Sequence, residues 1–219
     1  MTSISAVKPE QIVLVVDFGA QYAQLIARRV REAHVYSEIV SRKITAAEIK
    51  EKKPTAIILS GGPKSVHEDG APLLDPEIYQ LGIPILGICY GAQLIAKQLG
   101  GEVAKTGSGE YGRTDLSVLS SSMLLHDLDL SHTVWMSHFD TITKAPEGFV
   151  VSATTANTPA AVMENEEDRI FGMQFHPEVK HTPNGQEILK RFLYEGAGCA
   201  PTWTNNTIID DSVIAIQKQ

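Results

Sequence analysis

In the run IPILGICYGAQLIAKQLG, residues 83–100, two hydrophobic periods meet at one residue. Ile83 to Ile88 is a short unbroken apolar run, the pattern of a strand covered on both faces. Tyr90 to Leu99 changes to helical spacing and stops at Gly100-Gly101, where a helix would end. Cys89 therefore stands on a sharp strand-to-helix turn. Gly87 and Gly91 on either side remove side-chain bulk from that turn. In open α/β sheets, the carboxyl edge of the strands is where ligands bind.

The same alternation extends upstream. Ile12–Val16 and Ala56–Leu59 are continuous apolar runs and predict two more buried strands, with Val35–Val40 a third. Between them, Tyr22–Ala33 carries an apolar stripe at helical spacing. Thr45-Ala46-Ala47-Glu48 is a capping box opening a short helix that ends before Pro54. Asp75-Pro76 predicts a further helix, closed by Gly82. Downstream of Glu102 the texture changes to short β-like pieces: Glu110–Leu119, Thr133–Met136, Phe149–Thr154, Ala160–Met163 and Arg169–Phe175. One good helix remains, Asn184–Glu195, with Asn184 and Glu187 as a capping pair. This order predicts an α/β architecture: a mostly parallel open sheet flanked by helices, with an antiparallel extension. Gly196–Asn206 has linker composition, and Ile208–Gln219 begins an amphipathic helical pattern that breaks off. The expected division is a domain over 10–200, then a linker and the start of an absent following domain over 201–219.

Composition removes several function classes. The net charge is −7, and the densest basic spot, Arg28, Arg29 and Arg31, would mostly face water on a helix, so no nucleic-acid partner is expected. No apolar run reaches the length of a membrane span, and no membrane association is expected. The first ten residues lack a secretory pattern, and the two cysteines, Cys89 and Cys199, make no disulfide framework. A reducing, cytoplasmic setting follows as the expectation. The histidines show no ligand spacing, so no metal site is expected. Trp135 and Trp203 read as core and linker anchors.

Three segments could carry chemistry. A helix N-terminus after Cys89 favours thiolate over thiol, as a nucleophile requires, although a buried structural cysteine fits the pentapeptide as well. Gln174-Phe175-His176-Pro177-Glu178 follows a strand: His176 could take the thiol proton, and Glu178 could fix the imidazole tautomer. Alone, the same residues could be a surface turn. Ser60-Gly61-Gly62-Pro63 follows another buried strand, so the amides of Gly62 and Tyr90 could hold an oxyanion. A phosphate-binding loop is the competing reading, but its signature wants an acidic residue where Lys64 stands.

Taken in order, Ser60-Gly61-Gly62-Pro63, then Gly87 to Gly91 with Gln93, then Gln174 to Glu178 resemble the class I glutamine amidotransferases of the triad type. Asp17 to Tyr22, Glu110-Tyr111-Gly112, Val134 to His138 and His181-Thr182-Pro183 resemble, more narrowly, the amidotransferase domains of GMP synthetases. The resemblance covers about residues 10–200. It implies a flavodoxin-like fold and hydrolysis of glutamine to glutamate and ammonia. It further implies a triad of Cys89, His176 and Glu178, an oxyanion hole at Gly62 and Tyr90, and glutamine held by Gln93, Ser137, His138 and Phe139. The ammonia would serve a synthetase domain of the ATP-pyrophosphatase type that aminates XMP to GMP. ATP and magnesium belong to that absent domain, and none is expected here. A homodimer through the absent part is compatible with this reading.

One departure stands out. The family reads Ser-His-Gly-Asp where this chain has Ser137-His138-Phe139-Asp140, and a position requiring positive φ would strain Phe139. That departure leaves room for a catalytically silent module that regulates a partner synthetase. Amidotransferases of other biosynthetic routes are the rival within enzymes.

Overall fold

The computed structural model describes residues 10–19, 21–129 and 131–204. Nine strands form one mixed sheet: β1 (Val13–Asp17), β2 (Ser37–Ser41), β3 (Ala56–Leu59), β4 (Ile85–Ile88), β5 (Glu102–Val118), β6 (Ser131–Lys144), β7 (Val150–Thr154), β8 (Val162–Asn165) and β9 (Ile170–Met173). Their spatial order is β2-β1-β3-β4-β9-β8-β7-β5-β6. The first five in this order pair in parallel, and the rest are added antiparallel. Helices α1 (Ala23–Glu32), α2 (Ala46–Lys52), α3 (Tyr90–Gln98) and α4 (Gly185–Arg191) accompany it. This is the mixed open sheet that the residue pattern predicts.

The apolar runs are continuous because both faces of the sheet are covered. Val13, Val15 and Ile58 join one core with Ile26 and Val30 of α1 and Ile188 and Leu189 of α4. Leu14, Val16, Ile57 and Leu59 point the other way, into a core with Ile49 of α2 and Leu94 and Ile95 of α3. Successive side chains alternate between two interiors, so polar residues find no place along these strands. Each fully buried Val, Leu or Ile contributes about 1.5–3 kcal/mol relative to exposure. Among the described residues no helix is long and apolar enough to cross a membrane.

Several local expectations are corrected. The Thr45 capping box forms, with Glu48 N–H donating to Thr45 Oγ1 and Thr45 N–H to Glu48 Oε2. The Asn184–Glu187 pair does not cap: Asn184 makes no side-chain cap hydrogen bond, and Glu187 instead takes the Lys190 ammonium at 2.8 Å. The helix expected up to Glu195 changes at Phe192 into a π-type turn ending at Gly196, and the helix after Asp75 is a five-residue 3-10 turn, Pro76–Gln80. Thr133–Met136 proves to be the middle of a much longer strand, because β6 pairs with β5 as a hairpin from Glu102 to Ser117.

The expected linker is docked where it is described. Cys199 is buried in the core beside Leu193, to whose carbonyl its N–H donates. Trp203 N–H donates to the His34 carbonyl, and its ring lies 6.0 Å from that of Tyr36. Apolar Ala197 and Cys199 thus find cover that linker-like composition concealed. The helical pattern expected at Ile208–Gln219 lies outside the described residues.

Candidate active site

The parallel pairing of β4 with β9 is what builds the site. Ile88 is in register with Met173, so the chain leaving β4 and the chain leaving β9 emerge side by side at one sheet edge. Cys89 follows the first and His176 the second. Cys89 sits at φ 52°, ψ −106°, an unusual left-handed backbone for a non-glycine residue. Its N–H donates to the Met173 carbonyl at 2.8 Å, while Gly91 N–H donates to the Ser60 carbonyl at 3.1 Å. A Cβ on Gly91 would lie 2.4 Å from the Leu59 carbonyl oxygen, and one on Gly87 would lie 2.6 Å from the Ala92 nitrogen. Glycine at both places lets α3 begin directly over β3 and β4.

His176 is fixed from several sides. Its Nδ1 lies 2.8 Å from Glu178 Oε1, and both side chains are buried. Thr182 Oγ1 donates to the His176 carbonyl at 2.7 Å and accepts the Trp135 N–H at 3.0 Å. Arg29 Nε donates to the Glu178 carbonyl at 2.9 Å, and the Tyr22 ring meets the imidazole edge-on at 5.4 Å. Burial pulls the His176 pKa down. The negative charge and hydrogen bond of Cys89, with those of Glu178, outweigh it and hold the imidazole well above the ordinary histidine range. Glu178 Oε2 has no hydrogen-bond partner among the described residues, so the His176 ring is the polar partner this buried side chain faces.

A cavity of about 420 Å³ opens over the sulfur, lined by Gly62, Cys89, Tyr90, Gln93, Ser137, His138 and Phe139 among others. Gly62 abuts Tyr90 so closely that a Cβ there would lie 2.9 Å from Tyr90 Cγ. Tyr90 is the first residue of α3, so its amide has no acceptor within the helix. The Ser137 carbonyl lies 3.7 Å from Cys89 Sγ and can accept from it only when the sulfur carries its proton.

The four residues expected to hold glutamine all line this cavity, but Gln93 is committed elsewhere through its amide nitrogen and His138 through Nδ1 alone, its Nε2 making no hydrogen bond among the described residues. Gln93 is buried, with Nε2 donating to the Asp140 carbonyl at 2.6 Å and to Gln174 Oε1 at 3.3 Å. His138 is buried with Nδ1 at 2.9 Å from the Asp140 carbonyl and Nε2 at 3.3 Å from Glu110 Oε2. Burial, acting against the Asp140 carbonyl and Glu110, leaves its pKa lowered. Phe139 is 47% exposed at the cavity mouth and does not have positive φ, so the strain raised by the missing glycine is absent.

Sequence patterns assigned no role to Gln174 or Asp140, yet both join this network. The signal available for Gln174 was its place in the short segment Gln174 to Glu178, directly after β9 and two residues before His176. Cys199, in contrast, does not line this cavity, and burial pushes its thiol up to about 11.

The family model described as glutamine amidotransferase class-I matches residues 14–195. A protein named GMP synthase [glutamine-hydrolyzing] from Thermobifida fusca is 56% identical over 207 residues, covering 94% of this chain and 39% of its own length. One of the same name from Corynebacterium diphtheriae shows 56% identity with the same coverage. The chain thus spans about two fifths of the length of the curated relatives it matches. Among solved structures, a protein of Thermoplasma acidophilum described as a candidate GMP synthase component superposes with a TM-score of 0.76 at 30% identity, covering 97% of this chain and all of its own. A glutamine amidotransferase from Thermotoga maritima, at TM-score 0.63 and 19% identity over 95% of this chain and 94% of its own, shares the fold.

Proposed function

The chain belongs to the class I glutamine amidotransferases, and on that premise we propose that it hydrolyses the side-chain amide of glutamine with Cys89 as nucleophile. The observation that carries this reading is the strained turn at Cys89, beside a buried imidazole held at 2.8 Å by Glu178. In the proposed sequence the Cys89 thiolate attacks the amide carbonyl, and the N–H groups of Gly62 and Tyr90 hold the resulting oxyanion. The His176 imidazolium gives its proton to the departing nitrogen, ammonia leaves and a thioester remains. Water then attacks with His176 taking its proton, the sulfur departs, and glutamate is released. Glu178 orients the ring and keeps it charged.

The ammonia is proposed to pass to a synthetase portion, as the names and greater length of the relatives suggest. The reaction there would be amination of XMP to GMP, with ATP and magnesium bound by that portion. Coupling is expected to act through the loops flanking Cys89, Ser60–Pro63 and Ser137–Asp140. A shift of about 1.4 kcal/mol in their competent population changes the rate tenfold. The test measures ammonia release by the 219-residue chain alone, then with a separately produced synthetase portion, XMP and ATP. Stimulation of about tenfold or more is expected. High basal turnover without stimulation would make the chain a self-sufficient glutaminase, and no turnover in either arm would make it a silent module.

Phe139 allows a narrower test. Its ring stands at the cavity mouth where relatives of this family were expected to carry glycine. Phe139→Gly is expected to lower KM for glutamine roughly threefold with kcat nearly unchanged, the pattern of recovered ground-state binding. An unchanged KM would mean that only the backbone at 139 meets the substrate.

A further inference from the structure

We propose that Gln174 is a second group acting directly on the Cys89 sulfur, its side-chain N–H aimed at the thiolate by a one-way series of hydrogen bonds. The series begins at the Asp140 carbonyl, which can only accept. It takes Gln93 Nε2 at 2.6 Å, so Gln93 must turn its nitrogen that way. The same nitrogen lies 3.3 Å from Gln174 Oε1, which fixes the Gln174 oxygen toward Gln93. Gln174 Nε2 is left facing Cys89 Sγ at 3.8 Å. Flipping Gln174 would set nitrogen against nitrogen at one end and oxygen against sulfur at the other. No member can reverse without breaking the whole series.

The series is well insulated and firmly anchored. Gln174 is fully buried and Gln93 nearly so. The Asp140 carbonyl is also met by His138 Nδ1 at 2.9 Å, and His138 backs onto Glu110, whose carboxylate takes the hydroxyls of Thr155 and Thr158. In a low-dielectric setting even a long N–H contact to sulfur discriminates between thiol and thiolate. The two forms of Cys89 then use different partners. The thiol donates to the Ser137 carbonyl, whereas the thiolate accepts from Gln174 and His176. Stabilising the thiolate raises the fraction ready to attack and assists its departure from the thioester.

This rests on the reading of Cys89 as nucleophile, so the test avoids turnover. Alkylation of Cys89 by iodoacetamide, followed by peptide mass analysis without glutamine, is measured across the thiol titration. The charged and titratable groups around the sulfur are His176 with Glu178 beyond β9, His138, Glu110, Asp140, Lys105 and Tyr111 on the β5–β6 side, Lys64 and Glu68 after β3, and Tyr90 on α3; all stay in place. Gln174→Met, of similar size and without the donor, is expected to raise the midpoint by about one pH unit and so to slow alkylation about tenfold at pH values below the midpoint. Gln174→Glu should raise it further. Gln93→Met, which keeps Gln174 but frees its amide to turn, should raise it by a smaller amount, and thermal melting establishes which variants are folded. Fast labelling of Cys89 with an unchanged midpoint in any folded Gln174 variant overturns the proposal alone. Labelling of Cys89 no faster than Cys199 in the unaltered chain overturns the nucleophile reading and this proposal with it.

Discussion

Replacement of His176 by alanine is expected to lower kcat for ammonia release by about four orders of magnitude, while Glu178→Gln lowers it only about ten- to a hundredfold. The alanine variant removes the proton donor and also leaves Glu178 buried with no cation beside it. The glutamine variant keeps an oxygen that can accept from Nδ1 and so preserves the ring's orientation. It does remove one of the two charges that hold His176 protonated. A raised histidine pKa contributes stability that is full at low pH and is lost as pH rises through the folded value. Weakening that support should move the alkaline limb of the pH–rate profile to lower pH. Ammonia release at saturating glutamine, with circular dichroism as a folding control, gives both quantities. Equal losses in the two variants would mean that the Glu178 charge matters as much as the base it orients.

The second large effect is expected at a residue that does not line the cavity, Gly185. A Cβ at this first residue of α4 would lie 1.9 Å from the Pro177 carbonyl oxygen, a backbone atom with no rotamer to relieve it. Gly185→Ala must therefore separate α4 from the segment between His176 and Glu178. Forced overpacking of this kind costs about 1–3 kcal/mol, and more where backbone must move. We expect a melting temperature several degrees lower and ammonia release reduced about a hundredfold, because displacements near 1 Å at a positioning segment are that costly. Differential scanning calorimetry and the same ammonia assay measure the pair. Wild-type values for both would show that α4 can retreat from Pro177 without disturbing the imidazole.

The strands buried on both faces were legible because nothing polar interrupts Val13–Val16 or Ala56–Leu59. The strand–turn–helix at Cys89 was legible for a related reason: the period changes within one residue. The length of β6 was not, since its Ser, His, Asp and Thr residues carry no apolar alternation and their order depends on pairing with β5. Nor was the burial of Cys199, which depends on where the segment after α4 lands. In the candidate site, the nearness of Cys89 to His176 could be anticipated only by resemblance. No local pattern says that β9 lies next to β4. The orientation of Gln174 was out of reach altogether, since it is decided by an acceptor on β6, distant in sequence.

The placement of β9 also bears on the order in which this chain is made. Among the described residues it is the last strand in sequence but the fifth of nine in space, inserted between β4 and β8. During synthesis Cys89 leaves the ribosome well before His176 exists. Until β9 enters, the parallel and antiparallel halves of the sheet have no common neighbour, and the sulfur has neither the imidazole nor Gln174 beside it. A nascent or truncated chain would therefore carry Cys89 without the groups proposed to activate it. On the proposed function, competence arrives with closure of the sheet, and ammonia release is expected only from molecules that have finished folding.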